Sequence, residues 1–185
     1  MTTLRERIGG ERRRLKSVRQ KLTAAVAQGA SSNTDWAPFY VAVSDYMETS
    51  IGRLLDQDIK MGEMIQEKVE TVDETVKKAL ANLEENLTSL RQRLDGLLAA
   101  RDNLRGDAAG TLQEFEAAGR ALTDYIATNL GHQAGGSNDL AAKLFGPEDW
   151  EYMAGVTDEA MAKEIGQFEQ VNATTPSDLQ LPNED

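Results

Sequence analysis

The sequence predicts an all-α chain: an antiparallel up-down-up-down four-helix bundle with short C-terminal helices and a disordered tail. Three observations predict it. Between Val76 and Leu104 the only Gly or Pro is Gly96, and Val76, Leu80, Leu83, Leu87, Leu90, Leu94 and Leu97 recur at alternating steps of four and three. That is the spacing of a seam buried by partner helices, and it has none of the alternation of a strand. Three further stretches carry helical stripes and are joined by short connections, which make consecutive helices antiparallel neighbours. Aromatic residues are only 5% of the chain while Ala and Leu dominate, a composition that favours helix over sheet.

The first helix is expected over about residues 3–28. Thr3 to Glu6 has the form of a capping box, in which Thr accepts from a first-turn amide and Glu reaches back. Leu4, Ile8, Leu15, Val18, Leu22 and Val26 form its stripe, which stops at Gly29. Glu11 stands where an apolar residue is expected. Gly9 and Gly10 either weaken this helix by about 1 kcal/mol each relative to Ala or leave room for a close backbone approach or a small pocket.

The second helix is expected over 36–68, with Asp35 as N-cap and Pro38 tolerated in the first turn. Its stripe is Trp36, Tyr40, Val43, Met47, Ile51, Leu54, Met61 and Ile65, and the position between Leu54 and Met61 falls on Gln57 or Asp58. The chain is therefore polar where the core should continue. Thr71 to Glu74 supplies a second capping box for the third helix, 72–105, whose seam is interrupted by Arg101 before Leu104 and which stops at Gly106. Thr111 to Glu114 supplies a third for the fourth helix, 111–131, with Leu112, Phe115, Gly119, Leu122, Ile126 and Leu130 inward.

Gly131 to Asn138 then reads as a flexible connection. Short helices follow within 139–171, one opened by Pro147 with acids in its first turn, the last running from Asp158 to Val171. Residues 1–171 are thus read as one domain, and 172–185, with Pro176 and Pro182, as a flexible tail, disordered or loosely draped.

Charge bounds the partners. A net charge of −11 argues against general nucleic-acid binding, where attraction to phosphate is the main non-specific term. Residues 1–30 hold eight Lys/Arg against two acids, and residues 136–185 two Lys against eleven acids. The basic first helix is either a docking or membrane-surface element, or it packs beside the acidic segments of its own chain. There is no cysteine, hence no disulfide, thiolate ligand or Cys nucleophile. The N-terminal stretch lacks the apolar region of a signal peptide, and no apolar run is long enough to span a bilayer. A cytoplasmic protein is the simplest reading.

The interruptions in the stripes are the candidate site residues. Counting along antiparallel helices puts Asp58 level with about Asn82 of the third helix, and Leu130 to His132 level with Asn86 to Glu84. Asp58 and His132 are therefore candidate catalytic partners, since a carboxylate beside an imidazole orients it and raises its basicity. Glu11 and Gln57 are candidate ligand-binding neighbours, with Trp36, Tyr40 and Trp150 as walls. The competing reading leaves His132 in an exposed Gly-rich loop and Asp58 half-solvated or bonded to a neighbour. Arg101, level with Trp36 to Tyr40, either binds an anion or stacks on those rings, or lays its stem over apolar surface and pairs with an acid.

No metal or cofactor is predicted. A carboxylate-bridged di-iron bundle uses two Glu-x-x-His motifs, whereas the only histidine here is His132. Gly-rich phosphate loops and Gly-x-Ser-x-Gly elbows are also absent.

Phe39 to Tyr46, followed by Arg53 to Asp58 on a long second helix, together with the helix count over roughly residues 4–131, resembles divergent hemerythrin-like bundle proteins. The resemblance implies a four-helix bundle. In hemerythrins a His-x-x-x-Glu on the second helix contributes to a di-iron centre; here Leu54 and Asp58 occupy that spacing. The acid is in place and the histidine is not, so oxygen binding at di-iron is not implied.

Two functions follow. The first is a helical-bundle protein that acts by binding a partner or ligand, a second copy of the chain included. The alternative is a metal-free small-molecule-binding protein or an acid–base enzyme of isomerase, lyase or hydratase type, with its pocket inside the bundle. A mononuclear metal site on His132 and carboxylates is a third, weaker option.

Overall fold

The computed structural model describes residues 4–129 and 136–182. Among these there is no strand. Seven α-helices follow one another: α1 (Leu4–Gln28), α2 (Ala37–Lys68), α3 (Glu74–Gly106), α4 (Ala108–Asn129), α5 (Ser137–Leu144), α6 (Pro147–Ala154) and α7 (Asp158–Thr174).

The helix ends show how local chemistry sets the boundaries. α1 stops at Gly29, whose φ of +75° lies in the left-handed region that side chains disfavour. Asn33 caps a short 3-10 turn, Thr34–Trp36, by accepting from the Asp35 amide at 3.0 Å, so Asp35 lies inside the turn that leads into α2. Asp73, two residues past Thr71, caps α3 by accepting from the Val76 amide at 2.9 Å. Asp107 accepts from the Gly110 amide at 3.1 Å, so α4 starts at Ala108 and Thr111 is already inside it. The boxes beginning at Thr71 and Thr111 are thus displaced by nearby aspartates, which reach first-turn amides directly.

α3 packs against both α2 and α4, α1 packs against α4, and α7 lies along α2 and reaches α1. At Gly119 the α4 backbone lies close against α1: a Cβ there would lie 2.9 Å from Val26 Cγ1. The main core joins Leu22 and Val26 of α1, Phe39, Tyr40, Val43 and Met47 of α2, Leu90, Leu94 and Leu97 of α3, and Phe115 and Leu122 of α4. A second cluster gathers Met61, Met64 and Ile65 of α2, Leu83 of α3, and Ala141 and Phe145.

On α2 the main core ends at Leu55 and the second begins at Met61. Gln57 and Asp58 fall between them. The polar interruption read from the sequence therefore marks the place where the core divides. Its last apolar member is Leu55 rather than Leu54, because steps of four from Met47 through Ile51 keep the buried face in phase.

On α3, Leu90, Leu94, Leu97 and Leu104 are fully buried, whereas Leu80 and Leu87 are only half-buried. The leucine seam is closed toward its C-terminal end and open at these two positions.

α7 runs parallel to α1. Arg7 pairs with Asp158, Arg14 with Glu164, and Lys21 donates to Asn172 and Thr175. Gln28, one period further on, donates to the Asp178 carbonyl and accepts from the Gln180 amide. Residues 175–182 thus continue α7 along the end of α1, with Trp36 Nε1 donating to Asp178 at 3.2 Å and Leu179 packed against the main core. These residues belong to 172–185, expected from composition to be a disordered or loosely draped tail; 172–174 complete α7 and 175–182 drape along α1.

Candidate functional site

Among the described residues the most buried charge is Glu164 of α7, at 1% exposure. It accepts from Arg14 Nε at 2.8 and 3.0 Å, pairs with Arg14 Nη2 at 2.6 Å, and accepts from the Tyr46 hydroxyl at 2.5 Å. Burial, and then the bond to Glu164, push the Tyr46 hydroxyl well above its ordinary range. The bond that Arg14 donates to Glu164 also raises the guanidinium above its ordinary value. Beside this node Glu11 accepts from Arg53 at 2.8 Å, and Arg53 reaches the Ala160 carbonyl at 3.4 Å. Burial raises the Glu11 carboxyl, against the pull of Arg53. Glu11 interrupts the α1 stripe because it meets Arg53 of α2. With its charges paired, the node is a clamp that holds α7 against α1 and α2.

Arg101, 8% exposed, is engaged by Asp45 at 2.8 Å, Glu48 at 2.6 Å and Asp102 at 3.0 Å. Burial works against its charge, but hydrogen bonds to Glu48 and Asp102 hold the guanidinium above its ordinary value. Trp36 and Tyr40 meet edge to face at 6.0 Å, and Tyr40 stacks on Phe115 at 4.6 Å. The Tyr40 hydroxyl donates to Glu116 at 2.9 Å, and the Ala30 amide donates to the same oxygen at 2.6 Å. Glu116 thereby ties the α1–α2 connection to α4. These aromatics are core, and their polar atoms are satisfied.

Asp58 differs from all of these. It lines a cleft between α2 and α3 of about 520 Å³, with Ile59, Val72, Leu80, Leu83 and Leu87 as apolar wall and Glu63, Lys77 and Glu84 as the other charged lining groups. Among the described residues Asp58 has no hydrogen bond or ion pair. Burial alone pushes its carboxyl up from 3.8 to about 6. Such a carboxylate is costly to keep in charged form, and a ligand donor or cation would relieve that cost.

Gln57, the adjacent residue, lines a different cavity of about 470 Å³ with Ile8, Gly9, Trp150 and Met153, between α1, α2 and α6. The sequence-predicted set therefore divides: Glu11 sits in the clamp, Gln57 with Trp150 in one cleft, Asp58 in another, and Trp36, Tyr40 and Arg101 elsewhere. His132 lies outside the described residues, and so does its expected pairing with Asp58. Glu164 was not among the sequence candidates. The seven-residue period of Arg7, Arg14, Lys21 and Gln28 is the signal that points to its helix.

Among the described residues no group of three or more His, Cys, Asp or Glu is placed to hold a metal ion. A hemerythrin-type iron centre does not fit the donors at Asp58: the chain has one histidine, and Leu54 stands where that motif has another. No described helix is long and apolar enough to cross a membrane. No family model matches the chain, and no curated protein or solved structure gives a significant match.

Proposed function

We propose that α1 to α4 form an up-down-up-down four-helix bundle and that the protein acts by binding a small molecule in the α2/α3 cleft. The observation that carries this reading is Asp58, a carboxylate with no partner among the described residues, facing an apolar cleft at the point where the core divides. A volume of about 520 Å³ suits a small ligand, since such sites span roughly 300–1,000 Å³ and combine apolar walls with few polar groups. The half-buried Leu80 and Leu87 supply the seam positions that a ligand would cover. Kinship with hemerythrin-like bundles and a cytoplasmic setting belong to the same proposal. The kinship rests on the buried face of Phe39 to Tyr46 and on Asp58 of the long second helix.

The test is an amide NMR titration of labelled protein with small apolar alcohols and amines. Shifts confined to residues 58–66 and 77–87 are expected. If no compound moves these amides, the cleft is not a ligand site.

Ile59 at 41% and Val72 at 50% exposure, on the rim of the same cleft, favour a second reading in which a copy of the chain covers it. Light scattering separates the two: a dimer that the Ile59→Glu variant disperses would support the second reading, a concentration-independent monomer the first.

A further inference from the structure

We propose that the ligand class of the α2/α3 cleft is an organic cation, a small apolar or aromatic amine whose ammonium group meets Asp58. This rests on the reading of the cleft as a ligand site and adds the chemistry of its occupant.

Charge selects the cation. Among the described residues three carboxylates, Asp58 and Glu63 from α2 and Glu84 from α3, line the cleft against one ammonium, Lys77. Lys77 does not neutralise Asp58, because its Nζ is drawn away to Glu74 at 2.7 Å. An anion would add to an uncompensated field. A neutral hydroxyl could donate to the Asp58 carboxylate but would leave its charge uncompensated. An organic ammonium donates a charge-assisted hydrogen bond to that carboxylate.

Shape selects the apolar body. Ile59, Val72, Leu80, Leu83 and Leu87 line the same cleft as the acid, so most of the lining offers no side-chain hydrogen bond. A small inorganic cation would need several oxygen ligands converging on it, and no metal-holding group of acids occurs among the described residues. A ligand that places one ammonium at Asp58 and hydrocarbon along Leu80 and Leu87 satisfies both halves of the site.

Three probes of one shape isolate the charge: benzylammonium chloride, benzyl alcohol and sodium benzoate, followed by amide NMR and calorimetry on the full chain. At pH 7.5 benzylammonium should bind at least tenfold tighter than benzyl alcohol, and benzoate more weakly than either. Lowering the pH to 5.0 should shrink the preference for the cation by roughly tenfold, because Asp58 takes up its proton near pH 6. Glu63, Glu84 and Lys77 are the other titratable groups lining the cleft, and Asp58→Asn isolates the contribution of Asp58. That variant should abolish the preference while still binding benzyl alcohol, whereas Lys77→Gln should leave benzylammonium binding equal or tighter.

Equal binding of alcohol and ammonium by the parent overturns the cation assignment and leaves the cleft reading standing. A cation preference that persists in Asp58→Asn also overturns it. If none of the probes shifts residues 58–66 or 77–87, both readings fall.

Discussion

Replacing Glu164 with Ala should be one of the most damaging single changes to the C-terminal half of the protein. The carboxylate is 1% exposed and is bound by Arg14 at 2.6–3.0 Å and by the Tyr46 hydroxyl at 2.5 Å. Removing one partner of a buried pair costs about 3–5 kcal/mol, because the other charge stays buried. Water offsets part of that cost here, since the Arg14 side chain is 21% exposed. A loss of about 3 kcal/mol follows, or about 6–12 °C in Tm for a chain of this size. Thermal and urea unfolding followed by circular dichroism measure it. Amide exchange should also quicken across α7 while Leu90–Leu104 of α3 keep their protection. Arg14→Met and Glu164→Leu combined with Tyr46→Phe, which removes the hydroxyl that otherwise loses its acceptor, should recover most of the loss, since well-packed apolar residues replace such pairs at little cost. A loss below about 1 kcal/mol, or unchanged exchange in α7, would refute the clamp.

Two further changes test the packing and the acid. Gly119→Ala places a Cβ 2.9 Å from Val26 Cγ1, so overpacking of about 1–3 kcal/mol should outweigh the gain in helix propensity of about 1 kcal/mol. Gly96→Ala, with nothing within 4 Å, should stabilise by up to about 1 kcal/mol in the same unfolding assay. For Asp58 the carboxyl is raised above its unfolded value, so it contributes stability at low pH that is lost as the pH rises through about 6. The advantage of Asp58→Asn over the parent should therefore grow by about 2 kcal/mol between pH 4.5 and 7.5. A pH-independent difference would show that Asp58 is solvated.

The helices were legible because burial at a period of 3.6 is written in residue type: the seam from Leu90 to Leu104, the face from Tyr40 to Ile51, and Gly119 opposite Val26. Caps were less so. Asp73 and Asp107 compete with Thr71 and Thr111 within one turn, and only three-dimensional reach decides between them. The interruptions did mark exceptional places, but of different kinds. Glu11 and Arg101 meet opposite charges from α2, while Asp58 meets none among the described residues. Antiparallel counting gives level along a helix and not direction around it, so Gln57 and Asp58 were grouped although they line separate clefts. Glu164 escaped notice because its partner, Arg14, comes from a helix 150 residues away in sequence, and no periodicity within α7 singles it out.

The proposed function rests on Asp58, a largely buried acid at the α2/α3 cleft with no partner among the described residues. The most direct test is a ¹³C NMR titration of the Asp58 side-chain carboxyl, with and without benzylammonium. A midpoint near 6 that moves down when the cation is added is expected. A midpoint near 3.8, unmoved by the cation, would contradict it.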